Sequence, residues 1–261
     1  MSIPLPRVFY LGLASCVLRF GVGAACAETI SLQPMADTTL IEIAPDNNLG
    51  GADFFNAGTA GSGGGRNRAL LFFDLDAIPP GSIITGAELT LDIVRQPSSG
   101  QENSLFSLRR VLQSWGEGAQ VPADSGRPGQ GAPATAGEGT WNHRFAPFSA
   151  WSQPGGQAGA DFSTALSSTA FVTGLGEQVI FSSTPQMVAD IQAWLDQSDS
   201  NFGWMLKTES EQLAKTARSF ASRESGFGPT LTVEFTAVPE PSVLVLVGVS
   251  LLCFVALRRR N

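Results

Sequence analysis

Cysteine is scarce in this chain, and its placement is telling. Cys16, Cys26 and Cys253 are the only three, and all fall in the terminal segments. The stretch between them holds no disulfide, so an exported body of this composition rests on core packing. Tyrosine occurs once, at Tyr10, and histidine once, at His143. That inventory removes a tyrosine-based polysaccharide lyase, a cysteine hydrolase and a multi-histidine zinc site from the 28–237 body. A Ser-His-Asp triad would have to use His143, near which no nucleophile-elbow sequence stands. Positive charge is also thin. Five of the 16 Lys+Arg and one of the 23 Asp+Glu lie in the two end segments, leaving the body near −11. Such a surface makes nucleic acid and anionic membrane poor partners. Among the many acids, a carboxylate pair for glycoside hydrolysis stays open on counting alone.

The two ends are export equipment. Residues 1–27 read as a signal peptide: Arg7 opens it, Val8 to Leu18 supply most of an apolar core, and Ala25-Cys26-Ala27 forms an A-x-A cleavage site. Leu13-Ala14-Ser15-Cys16 offers the alternative of a lipoprotein box. At the other end, Pro239-Glu240-Pro241 stops any helix or central strand, because proline fixes φ and has no amide proton. Ser242 to Leu257 follows without a charge and predicts a transmembrane helix over 242–257, about 24 Å long at 1.5 Å per residue. Arg258, Arg259 and Arg260 then mark the cytoplasmic side. The triplet, apolar run and basic tail over 238–261 resemble the PEP-CTERM sorting signal of bacterial exported proteins. The resemblance implies cleavage near the triplet by an exosortase after the secretion machinery has moved the body out. The membrane is then a partner through the C-terminal helix before processing, and the cell surface or extracellular space is the destination.

The body alternates like β-structure. Ala87, Leu89, Leu91 and Ile93 share one face of a half-buried strand, with Glu88, Thr90 and Asp92 on the other. Arg66 to Leu75 is a continuous apolar strand. Further strands are expected at Thr39 to Ile43, Leu105 to Leu112, Gln178 to Ser182, Trp204 to Thr208, Ser219 to Arg223 and Thr230 to Phe235. One short amphipathic helix interrupts them. Thr184 can cap it, Pro185 suits its first position, and Met187, Val188, Ile191, Trp194 and Leu195 form its stripe. The sum is all-β, a jelly-roll-like β-sandwich with one helix. Gly116 to Gly159 stands apart as a long segment rich in Gly, Pro, Ala and Ser.

Several phrases in order resemble the DNRLRE domain, a jelly-roll family related to carbohydrate-binding modules. They include Ala36-Asp37-Thr38, Asp46-Asn47-Asn48-Leu49-Gly50-Gly51, Leu71-Phe72-Phe73-Asp74-Leu75, Asn201-Phe202-Gly203-Trp204 and Ser222-Arg223-Glu224. Gly50 and Gly51 depart from it, standing where the family has Arg and Glu. The resemblance implies extracellular binding or structural work, with polysaccharide as a ligand of some members.

Two candidate sites follow. Trp141, His143, Arg144 and Trp151 sit in the long segment, where aromatic faces can stack on sugar rings and polar groups can bond their hydroxyls. Core packing is the alternative role for both tryptophans. Asp37, Asp46, Asn47 and Asn48 offer loop oxygens for a structural calcium ion, although their spacing is not that of an EF-hand and Asx turns would also explain them. No other cofactor is expected. Arg218, Arg223 and Glu224 flank a strand end, where an ion pair is the plain expectation. The sequence thus predicts an exported, non-enzymatic surface or matrix protein that associates with extracellular polysaccharide. A purely structural or adhesive protein and a carboxylate-pair glycosidase are the alternatives.

Overall fold

The computed structural model describes residues 27–61, 65–98, 100–122 and 128–238. Ala25, the sorting triplet Pro239-Glu240-Pro241, the membrane segment 242–257 and Arg258, Arg259 and Arg260 lie outside them. Ala27 is the first residue of the first strand. Among the described residues no helix is long and apolar enough to cross a membrane.

In chain order the strands are β1 (Ala27–Leu32), β2 (Ala36–Ile41), β3 (Asn47–Asn48), β4 (Phe54–Thr59), β5 (Arg66–Phe72), β6 (Ile83–Arg95), β7 (Ser104–Arg110), β8 (Ala132–Pro133), β9 (His143–Phe145), β10 (Ser149–Ala150), β11 (Ser168–Val172), β12 (Gln178–Phe181), β13 (Trp204–Thr208), β14 (Arg218–Ala221) and β15 (Thr230–Thr236). Among the described residues the one α-helix, α1, covers Pro185–Asp196 between β12 and β13. Eleven strands form a curled antiparallel sheet in the order β1-β15-β6-β14-β4-β5-β13-β7-β11. β12 adds to β6 and β2 to β5.

The sequence periods explain the layers. On β6 the buried residues Leu89, Leu91 and Ile93 alternate with partly or fully exposed Glu88, Thr90 and Asp92. A register shift opposite Glu234 and Phe235 then lets both Ile84 and Ala87 point inward, the bend that an extra residue puts into a strand. The main core collects these residues with Phe55, Phe106, Phe220, Trp194 and Trp204. Phe220 stacks on Phe55 with ring centres 5.6 Å apart, and Trp194 meets Trp204 at 4.7 Å. The helix closes this core as its stripe predicts, burying Met187, Ile191 and Trp194. Thr184 caps it by accepting from the Met187 amide at 3.0 Å.

The continuous apolar run of β5 has a different cause. Ala69 and Leu71 face the main core, while Leu70 faces a second cluster with Leu40, Val111, Trp141, Trp151, Phe162 and Met205. On β13 the same split sends Trp204 and Leu206 one way and Met205 the other. The long Gly-rich segment lies over the outer face of these strands. A strand buried on both faces reads as unbroken hydrophobicity rather than alternation.

Candidate functional site

The sequence pointed first to the long segment, and the fold places its tryptophans inside. Trp141 and Trp151 are each 4 % exposed. The Trp151 indole N–H donates to the Thr140 carbonyl at 2.9 Å. The guanidinium carbons of Arg66 and Arg68 lie 5.1 and 5.4 Å from the Trp141 ring centre. Gly155 comes so close that a Cβ there would stand 2.5 Å from the ring, which is one reason this segment is rich in glycine. Arg144 donates to the Ser114 carbonyl at 2.8 Å, and the His143 amide donates to Thr140 Oγ1 at 3.0 Å. Core packing, the other role the sequence offers these tryptophans, is where the fold places them: both sit in the buried cluster over β2, β5 and β13 with Leu40, Leu70 and Met205. Trp194 and Trp204 are buried as well, and partly buried Trp115 donates its indole N–H to the Phe202 carbonyl at 2.9 Å.

The proposed calcium ligands are also divided among separate tasks. Asn48, fully buried, donates to the Glu117 carbonyl at 2.6 Å and to the Gly139 carbonyl at 2.8 Å. Its Oδ1 accepts from the amides of Gly50 and Gln120. Asn47 donates to the Gln130 carbonyl, and Asp46 accepts from the Asn142 side chain. Asp37 belongs to another network, accepting from the Arg223 amide at 2.9 Å. Asp37, Asp46 and Asn48 thus each offer an oxygen to a protein donor, and the four residues serve separate hydrogen-bond networks. Among the described residues no group of three or more His, Cys, Asp or Glu side chains is gathered for a metal. The stretch 46–51 works as a staple for the long segment. Gly50 and Gly51 fit that role, because a Cβ on either would meet the carbonyl oxygen of Glu117 or Ala119 at 2.4 Å.

The Asp37 network is electrostatically loaded. Glu117 takes the Asp37 amide at 2.9 Å and the Arg223 Nε at 2.7 Å, and Arg223 also pairs with Glu224 at 2.8 Å. The ion pair expected of Arg223 and Glu224 is present. Burial pushes the Asp37 carboxyl up to about 8, with Glu224 and Glu117 adding to the push and the Arg223 amide opposing it. Glu117 is likewise raised by burial. Arg223 and Glu224 line a recess with Asp92, Gln33 and Phe227, but Arg223 is already occupied by its carboxylates.

A different groove has polar groups to spare. It measures about 640 Å³ and lies where β4, β5 and β14 meet the loops around residues 60, 96 and 130 and the turn before β14. Asn56, Asn67, Gln96, Gln130 and Lys215 line it. Asn56 accepts from the Ser219 hydroxyl at 2.7 Å, and Gln96 accepts from the Leu175 amide at 2.7 Å. Among the described residues the amide nitrogens of both, the side chains of Asn67 and Gln130, and Lys215 Nζ have no hydrogen-bond partner. Asn56 is only 7 % exposed, and it lines the groove with its amide nitrogen unpartnered among the described residues. Among the described residues no carboxylate lines the groove. Its parts lie between residues 43 and 219 with no motif of their own. The one sequence signal was Arg218, whose expected ion pair is corrected below.

A comparison with curated proteins finds no match. Residues 237–260 match the PEP-CTERM protein-sorting motif. The chain therefore carries the tag of an exported protein that an exosortase processes, attached to a mostly β body with one helix.

Proposed function

We infer that this is an exported surface or matrix protein whose body, a jelly-roll-like sandwich, associates with extracellular polysaccharide without cutting it. The sorting motif supports the destination. The observation that carries the binding role is the groove of unpartnered amides. Sugar hydroxyls both donate and accept, and Asn and Gln side chains offer both functions in one group. A volume of about 640 Å³ has room for one or two sugar units. Recognition runs through hydrogen bonds in an open cleft, since the tryptophan faces are committed to packing. Among the described residues the lining holds no carboxylate, which favours binding over hydrolysis, a reaction that needs two acids about 5–10 Å apart across the bond.

The test is saturable binding of the purified full-length chain to soluble polysaccharides, with reducing ends measured in parallel. Asn67→Ala with Gln96→Ala is expected to weaken binding about tenfold or more while leaving the melting temperature in place. Release of reducing ends would move the account to the recess holding Asp92 and Glu224. No binding of any neutral or acidic polysaccharide would leave a structural matrix protein in its place.

A further inference from the structure

The amides of the groove do not account for its charge. On a body near −11, the three ionisable residues among the described lining, Arg95, Lys215 and Arg218, are all cations. Arg218 is the most unusual. It is 1 % exposed, yet no carboxylate among the described residues pairs with it. Its guanidinium donates to the carbonyls of Thr173, Lys215, Thr216, Ala217 and Glu102 and to Asn103 Oδ1, at 2.6 to 3.3 Å. Those bonds satisfy its hydrogens without cancelling its charge. A buried charge answered only by dipoles projects its field into the nearest cavity, where low-dielectric walls weaken the screening.

The other two cations are placed to use that field. Lys215 has φ +68°, a backbone state uncommon for lysine. It is fixed there by its amide donating to the Ala60 carbonyl and its own carbonyl accepting from Glu102. Its Nζ has no partner among the described residues. The Arg95 guanidinium carbon lies 4.0 Å from the Phe54 ring centre, and its one carboxylate neighbour among the described residues, exposed Asp53, is 3.9 Å away. Neither cation is neutralised in the way Arg68 or Arg109 is by Glu211 or Glu209.

The geometry points to an oxyanion subsite within this groove: Lys215 and Arg95 hold a carboxylate, sulfate or phosphate group of a hydroxyl-rich ligand, in the field of buried Arg218. The subsite rests on reading the groove as the polysaccharide site, and it adds the charge of the sugar that fits. Charge-assisted bonds to the anion supplement the neutral bonds from Asn56, Asn67 and Gln96.

The purified full-length chain separates the two ideas. Affinity is measured for one neutral polysaccharide and for carboxylated and sulfated forms of the same backbone. Inorganic sulfate, phosphate and acetate are titrated in parallel at matched ionic strength. The variant Lys215→Asn with Arg95→Gln removes both contacting cations, and Asn tolerates the backbone at position 215. The expected result is affinity for at least one acidic form about tenfold or more above the neutral form, with that preference lost in the variant. The preferred anion among the carboxylated, sulfated and phosphate arms identifies the group. Equal affinity for neutral and acidic forms, or an acidic preference that survives in the variant, overturns the subsite and leaves the groove reading intact. No binding of any form to the unaltered chain overturns both.

Discussion

Replacing Asn48 by alanine should detach the long segment from the sheet and cost much of the stability of the protein. The residue is fully buried, and its side chain makes three short hydrogen bonds, to the Glu117 and Gly139 carbonyls and from the Gly50 amide, at 2.6 to 2.8 Å. Two weaker ones at 3.3 Å join Thr38 and Gln120. Alanine leaves these backbone groups without partners in a site too tight for an easy replacement. At about 1 kcal/mol for each of the three short bonds, with a smaller share from the others, the loss is about 3–4 kcal/mol. Domains have only about 5–15 kcal/mol in total. With a urea m-value of about 2–3 kcal/mol/M, the midpoint should fall by about 1–2 M. Limited proteolysis should also begin to cut between residues 116 and 159. Asn48→Asp is a stringent companion, since it keeps the acceptor for Gly50 but turns oxygen toward the two carbonyls. It is expected to be at least as damaging. A midpoint shift below about 0.3 M in both variants would refute the staple.

Three further outcomes follow from the same packing and charge. The Asp37 carboxyl is raised to about 8 by burial, so the folded state holds its proton more tightly than the unfolded one. That contribution to stability is complete below the unfolded value near 3.8 and is lost as pH rises toward about 8. Thermal melts should therefore weaken from pH 6 to pH 9, and Asp37→Asn, which still accepts from the Arg223 amide, should flatten that limb; an unchanged slope contradicts it. Trp141→Ala should destabilise by about 3–5 kcal/mol, read by urea unfolding, with glycan affinity of the folded fraction unchanged. A selective loss of binding would return the site to the long segment. Glu240→Ala should leave the C-terminal tail attached in cells with an exosortase, which the intact mass of the recovered protein reports.

The elements legible in the sequence were those with a single period. β6 declared itself through Ala87, Leu89, Leu91 and Ile93, and α1 through Thr184, Pro185 and its apolar stripe. β4 did not, because Phe54–Thr59 is buried throughout and contains Asn56 and Gly58 in place of an alternating pattern. Its neighbours β14 and β5 make it interior, and that is tertiary information. The tryptophans misled for a related reason. A glycine-rich stretch containing Trp141 and Trp151 resembles an exposed binding loop until the outer face of β5 is seen to need covering. Arg218 was read as half of an ion pair, yet backbone carbonyls surround it. The groove was illegible because Asn56, Asn67, Gln96, Gln130 and Lys215 meet only when β4, β5 and β14 align.

Amide chemical-shift mapping during a polysaccharide titration tests the central claim most directly. The isotope-labelled full-length chain would be followed at Asn56, Asn67, Gln96, Gln130 and Lys215, with the indole signals of Trp141 and Trp151 as internal reference. The account predicts saturable shifts confined to the groove and its rim, with both indoles still. Shifts centred on the 141–151 segment, or none at any residue under saturating polysaccharide, would contradict it.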